Sequence, residues 1–205
     1  MRLGHRFKKK KTGLLIRMLS NLNVMVKNKK MIAVLVGNTM QFYDFTIYAF
    51  MATQISKEFF NFDSDFLSYL AVFCVFAGGY LTRPFGAVLF GYIGDRVGRG
   101  KVLSITIMFS ALTTFLIGII PGYQLIGFAS PVLLVAMRLA QGIAVSGEEG
   151  GAVVLLFEEG SFKSKGLIGS IVLSSVLLGV LLGMIVCLIT GQMVSNGLIG
   201  SWGWR

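Results

Sequence analysis

Five long apolar runs constrain this chain more than any other feature. They lie at about 31–55, 68–92, 103–121, 131–156 and 167–191. A helix needs roughly 20 mostly apolar residues to cross a hydrocarbon core about 30 Å thick, and each run is long enough. A membrane β-barrel would instead show alternating segments of about ten residues, which these continuous runs do not resemble. Of 205 residues, 55% are hydrophobic and 14% are charged. Soluble domains carry roughly 25% charged residues, so there is too little polar surface here for a water-soluble enzyme. The richness in apolar residues equally excludes a disordered chain. The expected fold is all-α and membrane-integral, with a tail over 1–30 and a helical domain over 31–205.

The basic residues set the orientation. Ten of the 19 Lys and Arg precede Met31. The 56–67 connector carries Lys57, the 93–102 connector carries Arg96, Arg99 and Lys101, and the 122–130 connector carries none. The 157–166 connector adds Lys163 and Lys165, and Arg205 follows the fifth run. The excess of positive charge on alternate connectors places the N-terminus in the cytoplasm. A basic tail before an apolar span also suits anionic lipid. Nucleic acid is not the expected partner, because Phe7 is the sole aromatic residue before Phe42 and no stacking platform accompanies the charge. Asn38, Gln41 and Asp44 follow the first apolar residues with no small-residue cleavage site, so the first run reads as a retained span rather than a signal peptide. The fifth run is followed by Trp202 and Trp204, interface residues placed where a sixth span would begin. The expected bundle is therefore an incomplete one.

A charge inside a span costs about 2.5–3.5 kcal/mol on insertion scales, so each one needs a partner or a function. The conspicuous ones are Asp44, Arg83, Arg138 and the pair Glu148–Glu149. Asn38, Gln41, Asp44 and Tyr48 recur at helical spacing and form one polar stripe. Lipid cannot satisfy such a stripe, so it faces protein or water. It reads either as a cavity wall with a protonatable carboxylate or as a structural carboxylate paired to a neighbouring helix. Arg138, Gln141, Gly142, Val145 and Glu149 form a second stripe. Arg138 and Glu149 lie eleven residues apart, a rise of roughly 16 Å, so they share a face without touching. They read as facing one polar cavity, although Arg138 could also snorkel to the interface. Arg83 precedes Pro84, and a kink there would free a carbonyl for the guanidinium.

The connector Gly91-Tyr92-Ile93-Gly94-Asp95-Arg96-Val97-Gly98-Arg99-Gly100-Lys101 has to turn tightly, which its glycines permit. Asp95 is placed to meet a helix N-terminus. Arg96, Arg99 and Lys101 suit helix C-termini or lipid phosphate. Gly147/Gly151 and Gly179/Gly183 are two GxxxG pairs, whose default use is close helix packing. Cys74 and Cys187 lie in apolar runs, and His5 is the single histidine. There is no Walker-type phosphate loop, no Ser/His/Asp set and no Cys/His ligand spacing. Neither an enzyme, a cofactor nor a metal is expected.

The Gly91–Lys101 connector resembles the signature between the second and third helices of the major facilitator superfamily. Gly37–Phe45, Arg83-Pro84-Phe85-Gly86, Arg138-Leu139-Ala140-Gln141-Gly142, Gly147–Gly151 and Ser201–Arg205 are similar to the metabolite:proton symporter branch, which includes the proline/betaine transporter and dicarboxylate carriers. The resemblance runs from about Met31 to Arg205. It implies a twelve-helix carrier of two six-helix halves built from inverted repeats, of which this chain would be the first half without its sixth helix. It implies that Asp44 and Arg138 line the central cavity and that the Asp95 connector steadies one access state. Three positions depart from the pattern: Gln41 stands for a usual Glu, Glu149 for a usual aromatic and Gly100 for a usual basic residue. The expectation is the N-terminal half of a proton-coupled symporter for a small zwitterion or organic acid, in a bacterial inner membrane. Its partners would be lipid, proton, solute and a separate C-terminal half, and alone it would be inactive. A self-associating channel or scaffold, active as a homodimer, is the alternative.

Overall fold

The computed structural model describes residues 29–159 and 165–198. The tail before Lys29, Lys163 and the Ser201–Arg205 motif lie outside the described residues, as does the side chain of Glu149. The described chain is helical, with no strand. Its elements are α1 Lys29–Phe50, α2 Ala52–Phe59, α3 Asp65–Leu81, α4 Arg83–Val97, α5 Arg99–Ile119, α6 Tyr123–Ile126, α7 Ala129–Glu159 and α8 Lys165–Ser195.

Among the described residues, four segments are long and apolar enough to cross a membrane: Asp65–Val97, Arg99–Ile119, Ala129–Glu148 and Gly169–Ser195. The first expected span, 31–55, is helical but is not among those four, because Asn38, Gln41 and Asp44 dilute its apolar content. Met51 separates α1 from α2 without breaking the ladder: its N–H donates to the Ile47 carbonyl at 2.8 Å, and its own carbonyl accepts from Ile55 at 2.9 Å. Helix then runs on to Phe59, past the expected end.

Two expectations about breaks are corrected. Pro84 lies in the first turn of α4, with Thr82 between α3 and α4. The missing N–H falls where a helix start has no intrahelical bond to make, so it marks a boundary rather than a mid-helix kink. Thr82 ties that boundary to α7 by donating to the Gly79 carbonyl at 2.8 Å and to the Leu139 carbonyl at 3.2 Å. The 93–102 connector is almost entirely helical: α4 ends at Val97 and α5 begins at Arg99. Gly98 alone makes the turn, at φ +100°, a backbone region that L side chains rarely adopt.

Helix α7 is central. It packs against α5 on one side and against α3 and α4 on the other, while α8 packs along α1. Missing side chains permit the close approaches. A Cβ on Gly142 of α7 would collide with the Gly79 carbonyl and the Thr82 hydroxyl. One on Gly179 of α8 would collide with the Thr39 carbonyl, and one on Gly183 would meet Thr46 Cβ at 2.7 Å. The apolar core gathers Tyr48, Met51, Ile55 and Phe59 of the first helical stretch, Val72 and Val75 of α3, Leu134 of α7 and Cys187 of α8. Many large apolar side chains point outward, among them Leu81, Phe85, Val88, Met108 and Phe115. Outward apolar groups over whole helices are the surface that lipid requires.

Candidate functional site

Helices α1, α5 and α7 bring their polar groups to one node. Thr114 of α5 donates its hydroxyl proton to Asp44 Oδ2 of α1 at 2.7 Å. The Thr114 Oγ1 itself accepts from Gln141 Nε2 of α7 at 2.9 Å. Gln141 Oε1 in turn accepts from Arg138 Nη1 at 2.7 Å. The result is a continuous chain from a cation to a carboxylate through two neutral groups, with every donor pointing toward Asp44. Arg138 is 8% exposed, and its guanidinium carbon lies 3.7 Å from the ring centroid of Tyr48. Ring face and amide carbonyl replace part of the water that a guanidinium loses on burial, and Nε is left without a hydrogen-bond partner among the described residues. The Tyr48 hydroxyl donates to the Val72 carbonyl at 3.2 Å, which holds the ring in place.

A groove of about 690 Å³ opens beside this node between α1 and α5. Gln41, Asp44, Thr114 and Glu148 line it, with Met40 and Phe115 on its apolar walls. Gln41 and Glu148 are both buried. Of the stripe expected on α1, Gln41 and Asp44 therefore reach one open groove, and Tyr48 reaches Arg138 behind it. Asn38 turns elsewhere: its amide donates to Ser175 Oγ of α8 at 2.7 Å, so it bonds α1 to α8, though it also borders a small crevice with Gln41 and Glu148. Steps of three residues fall about 60° short of a full turn each, so Asn38 lies well round the helix from Asp44. Arg138 is buried within the bundle rather than snorkelling, and Gln141 is its direct partner.

Arg83 stands apart from the node. Its guanidinium lies 4.0 Å from the Tyr80 ring centroid and 4.7 Å from that of Phe45. In the connector, Asp95 pairs with Arg99 at 3.2 Å across the Gly98 turn. Arg96 covers the Tyr92 ring at 4.2 Å, and Lys101 is exposed. Gly91, Asp95 and Arg99 line a separate cavity of about 230 Å³ with Gly147 and Gly151. Gly147 is closely packed by Thr106 and Phe90, whereas a Cβ on Gly151 would meet nothing within 4 Å.

Thr114 joins the two expected stripes, and sequence reasoning passed over it. A signal was present: Thr106, Ser110 and Thr113 recur at steps of four and three within an apolar helix and are all buried. That hydroxyl stripe marks the inward face of α5, and Thr114 borders it.

Four segments long and apolar enough to cross a membrane, with a cation and a carboxylate joined through side chains of α1, α5 and α7, define a multi-pass membrane protein. The chain belongs to the Sugar (and other) transporter family of the major facilitator superfamily, whose model matches residues 29–205. It is 35% identical over 177 residues to the glycine betaine/proline/ectoine/pipecolic acid transporter OusA of Dickeya dadantii, covering 86% of this chain and 35% of that relative. It is also 35% identical over 181 residues to the proline/betaine transporter of Escherichia coli, with the same coverage of both. The shikimate transporter of Escherichia coli is 37% identical over 170 residues, 82% of this chain and 39% of that protein. The chain thus spans little more than a third of the length of these relatives, within their N-terminal half. No solved structure matches it.

Proposed function

We propose that the chain is the N-terminal half of a proton-coupled symporter for a small zwitterionic osmolyte or organic acid, and that it is inactive alone. The observation that carries this reading is the Arg138–Gln141–Thr114–Asp44 chain beside an open groove. A buried guanidinium suits a solute carboxylate, the group shared by proline, betaine, shikimate and citrate. A carboxylate bordering an open groove suits a proton. Asp44, Gln41, Glu148 and Glu149 are assigned to the proton and solute path, with Arg138, Gln141 and Tyr48 to the anionic end of the solute. Alternating access requires two bundles moving about a central site, so the partner is a C-terminal half, on this chain or another. The membrane is assigned as a bacterial inner membrane with the N-terminus in the cytoplasm, on the distribution of Lys and Arg.

The channel or scaffold reading loses support. Self-association through the two GxxxG pairs would need them free for a second copy, but Gly179 and Gly183 are packed against α1 and Gly147 against Thr106 and Phe90, which leaves only Gly151 of the four open.

Uptake of labelled betaine, proline and shikimate into cells lacking their own carriers tests the proposal. The chain alone should give no uptake. Co-expression with the C-terminal half of the Escherichia coli proline/betaine transporter should give uptake that Asp44→Asn and Arg138→Leu abolish. Uptake by the chain alone would refute the inactivity claim, and undiminished uptake in the Asp44→Asn pair would refute proton coupling at that residue.

A further inference from the structure

A threonine hydroxyl has one proton, and the direction in which it points decides the direction of any hydrogen-bond chain passing through it. Here that proton goes to Asp44, the Thr114 lone pair receives the Gln141 amide, and the Gln141 carbonyl is thereby turned toward Arg138. Asp44 and Arg138 form no direct ion pair among the described residues, so their communication runs through two uncharged side chains. We infer that Thr114 and Gln141 are positioning residues that lock Arg138 to the protein while Asp44 is ionised and release it to an anionic ligand once Asp44 is neutral.

The reasoning is one of counting donors. An ionised carboxylate is acceptor-only, so Thr114 has to donate to it and the whole chain has one allowed polarity. A neutral Asp44 carries the coupling proton, delivered as hydronium through the groove it lines, and it can itself donate to Thr114. Thr114 is then free to donate toward Gln141, whose amide turns over to present its carbonyl. That turn places the amide N–H₂ against Arg138 Nη1, which has no use for a donor. Arg138 Nε already has no hydrogen-bond partner among the described residues. Release of Nη1 then opens a further guanidinium N–H to a carboxylate oxygen as a charge-assisted hydrogen bond. The incoming anion selects the second polarity because only there does Arg138 lack an acceptor. Proton and anion therefore favour each other's binding.

The charged and titratable groups around the node are few. Arg138 and Glu148 come from α7, Tyr43 and Tyr48 from α1, Cys187 from α8 and Arg83 from α4 beyond Phe45. Helix α5 brings hydroxyls to the groove, Ser104, Ser110 and Thr114. None of these groups is interposed in the chain from Arg138 to Asp44 besides Gln141 and Thr114.

This inference rests on the reading that Arg138 meets the anionic end of the solute, and the experiment separates the two. The full chain is placed in lipid nanodiscs with ¹⁵N-labelled arginine, and Arg138 is assigned by its loss in Arg138→Lys. Acetate is titrated as the carboxylate probe while the Arg138 side-chain ¹⁵N signals are followed. Asp44→Asn should tighten acetate binding at Arg138 about tenfold, the size of one hydrogen bond to a charged group. In a Thr114→Val background the same change should alter acetate binding less than twofold. Gln141→Leu, which cuts the chain at its other joint, should behave alike and covers the case that Thr114→Val does not fold. Thr114→Ser, which keeps the hydroxyl, should retain the tenfold effect. A tenfold effect that persists in both cut chains would show plain charge repulsion from Asp44 and overturn the inference, leaving the anion role of Arg138 intact. No acetate response of Arg138 in any variant would overturn both.

Discussion

The Arg138 guanidinium carbon lies 3.7 Å from the centroid of the Tyr48 ring. A buried arginine is thus held by an aromatic face and an amide carbonyl rather than by a direct carboxylate contact. A guanidinium tightly paired to an acid would be neutralised and closed to a solute. Held by neutral groups, its charge is not offset by a contacting acid.

That arrangement predicts a split between two substitutions of Tyr48. Tyr48→Phe keeps the ring face and removes the hydrogen bond to the Val72 carbonyl, a loss of about 1 kcal/mol. Tyr48→Leu also removes the cation–π contact, worth about 2 kcal/mol when desolvated, and should be the more damaging by that amount. Denaturant or thermal unfolding of the purified chain in detergent measures both. Equal effects would show that the ring face contributes nothing.

Glycines at the α1–α8 contact should be intolerant of change where those on open faces are not. Gly179→Leu has to displace the Thr39 carbonyl and the Phe42 side chain, and should destabilise by about 3 kcal/mol or prevent folding. Gly151→Ala meets no atom within 4 Å and should stabilise its helix by up to about 1 kcal/mol. Melting temperatures of the two variants in the same detergent give the comparison. A tolerated Gly179→Leu would contradict the packing described.

In the connector, backbone conformation should matter more than charge. Gly98→Ala forces a side chain into φ +100° and should cost about 1–3 kcal/mol, whereas Gly100→Ala lies in ordinary helix and should not destabilise. Asp95→Ala removes an exposed ion pair at 3.2 Å and should change stability by less than about 1 kcal/mol, with less effect still at high salt. Unfolding at two salt concentrations tests this. A much larger loss for Asp95→Ala would mean that the carboxylate does more than pair with Arg99.

Orientation can be read by labelling. In a background of Cys74→Ser and Cys187→Ser, Asn61→Cys lies in the exposed turn between α2 and α3, and Gly100→Cys lies at the opposite end of α5 from Pro121. With a cytoplasmic N-terminus, a membrane-impermeant maleimide should label Asn61→Cys in intact cells and label Gly100→Cys only after permeabilisation. The reverse pattern would invert the topology.

Much of the fold was legible because a bilayer leaves the chain few options. Long apolar runs must form helices there, since lipid offers nothing to bond a bare backbone. The charges inside those runs were legible for the same reason, and Asp44 and Arg138 were both picked out by being expensive. Their connection was not legible. Thr114 is one hydroxyl among many, and nothing in linear spacing says that it faces both Asp44, 70 residues earlier, and Gln141, 27 residues later. Asn38 shows the converse: it shares the spacing of the stripe, and only the approach of α8 makes Ser175 its partner.

The amino-acid sequence by itself determined that this protein is a bundle of membrane-crossing helices and which few ionisable groups that bundle has to accommodate. The hydrophobic effect and the need to satisfy the backbone act on residues one by one, so their demands are written in composition and period. Only the tertiary structure decided which of those groups meet, because a meeting depends on the rotation and approach of whole helices. That rotation is set by packing at glycines such as Gly142, which meets α3 at Gly79, and Gly179, which meets α1 at Thr39, and neither contact can be read from the spacing of the polar groups.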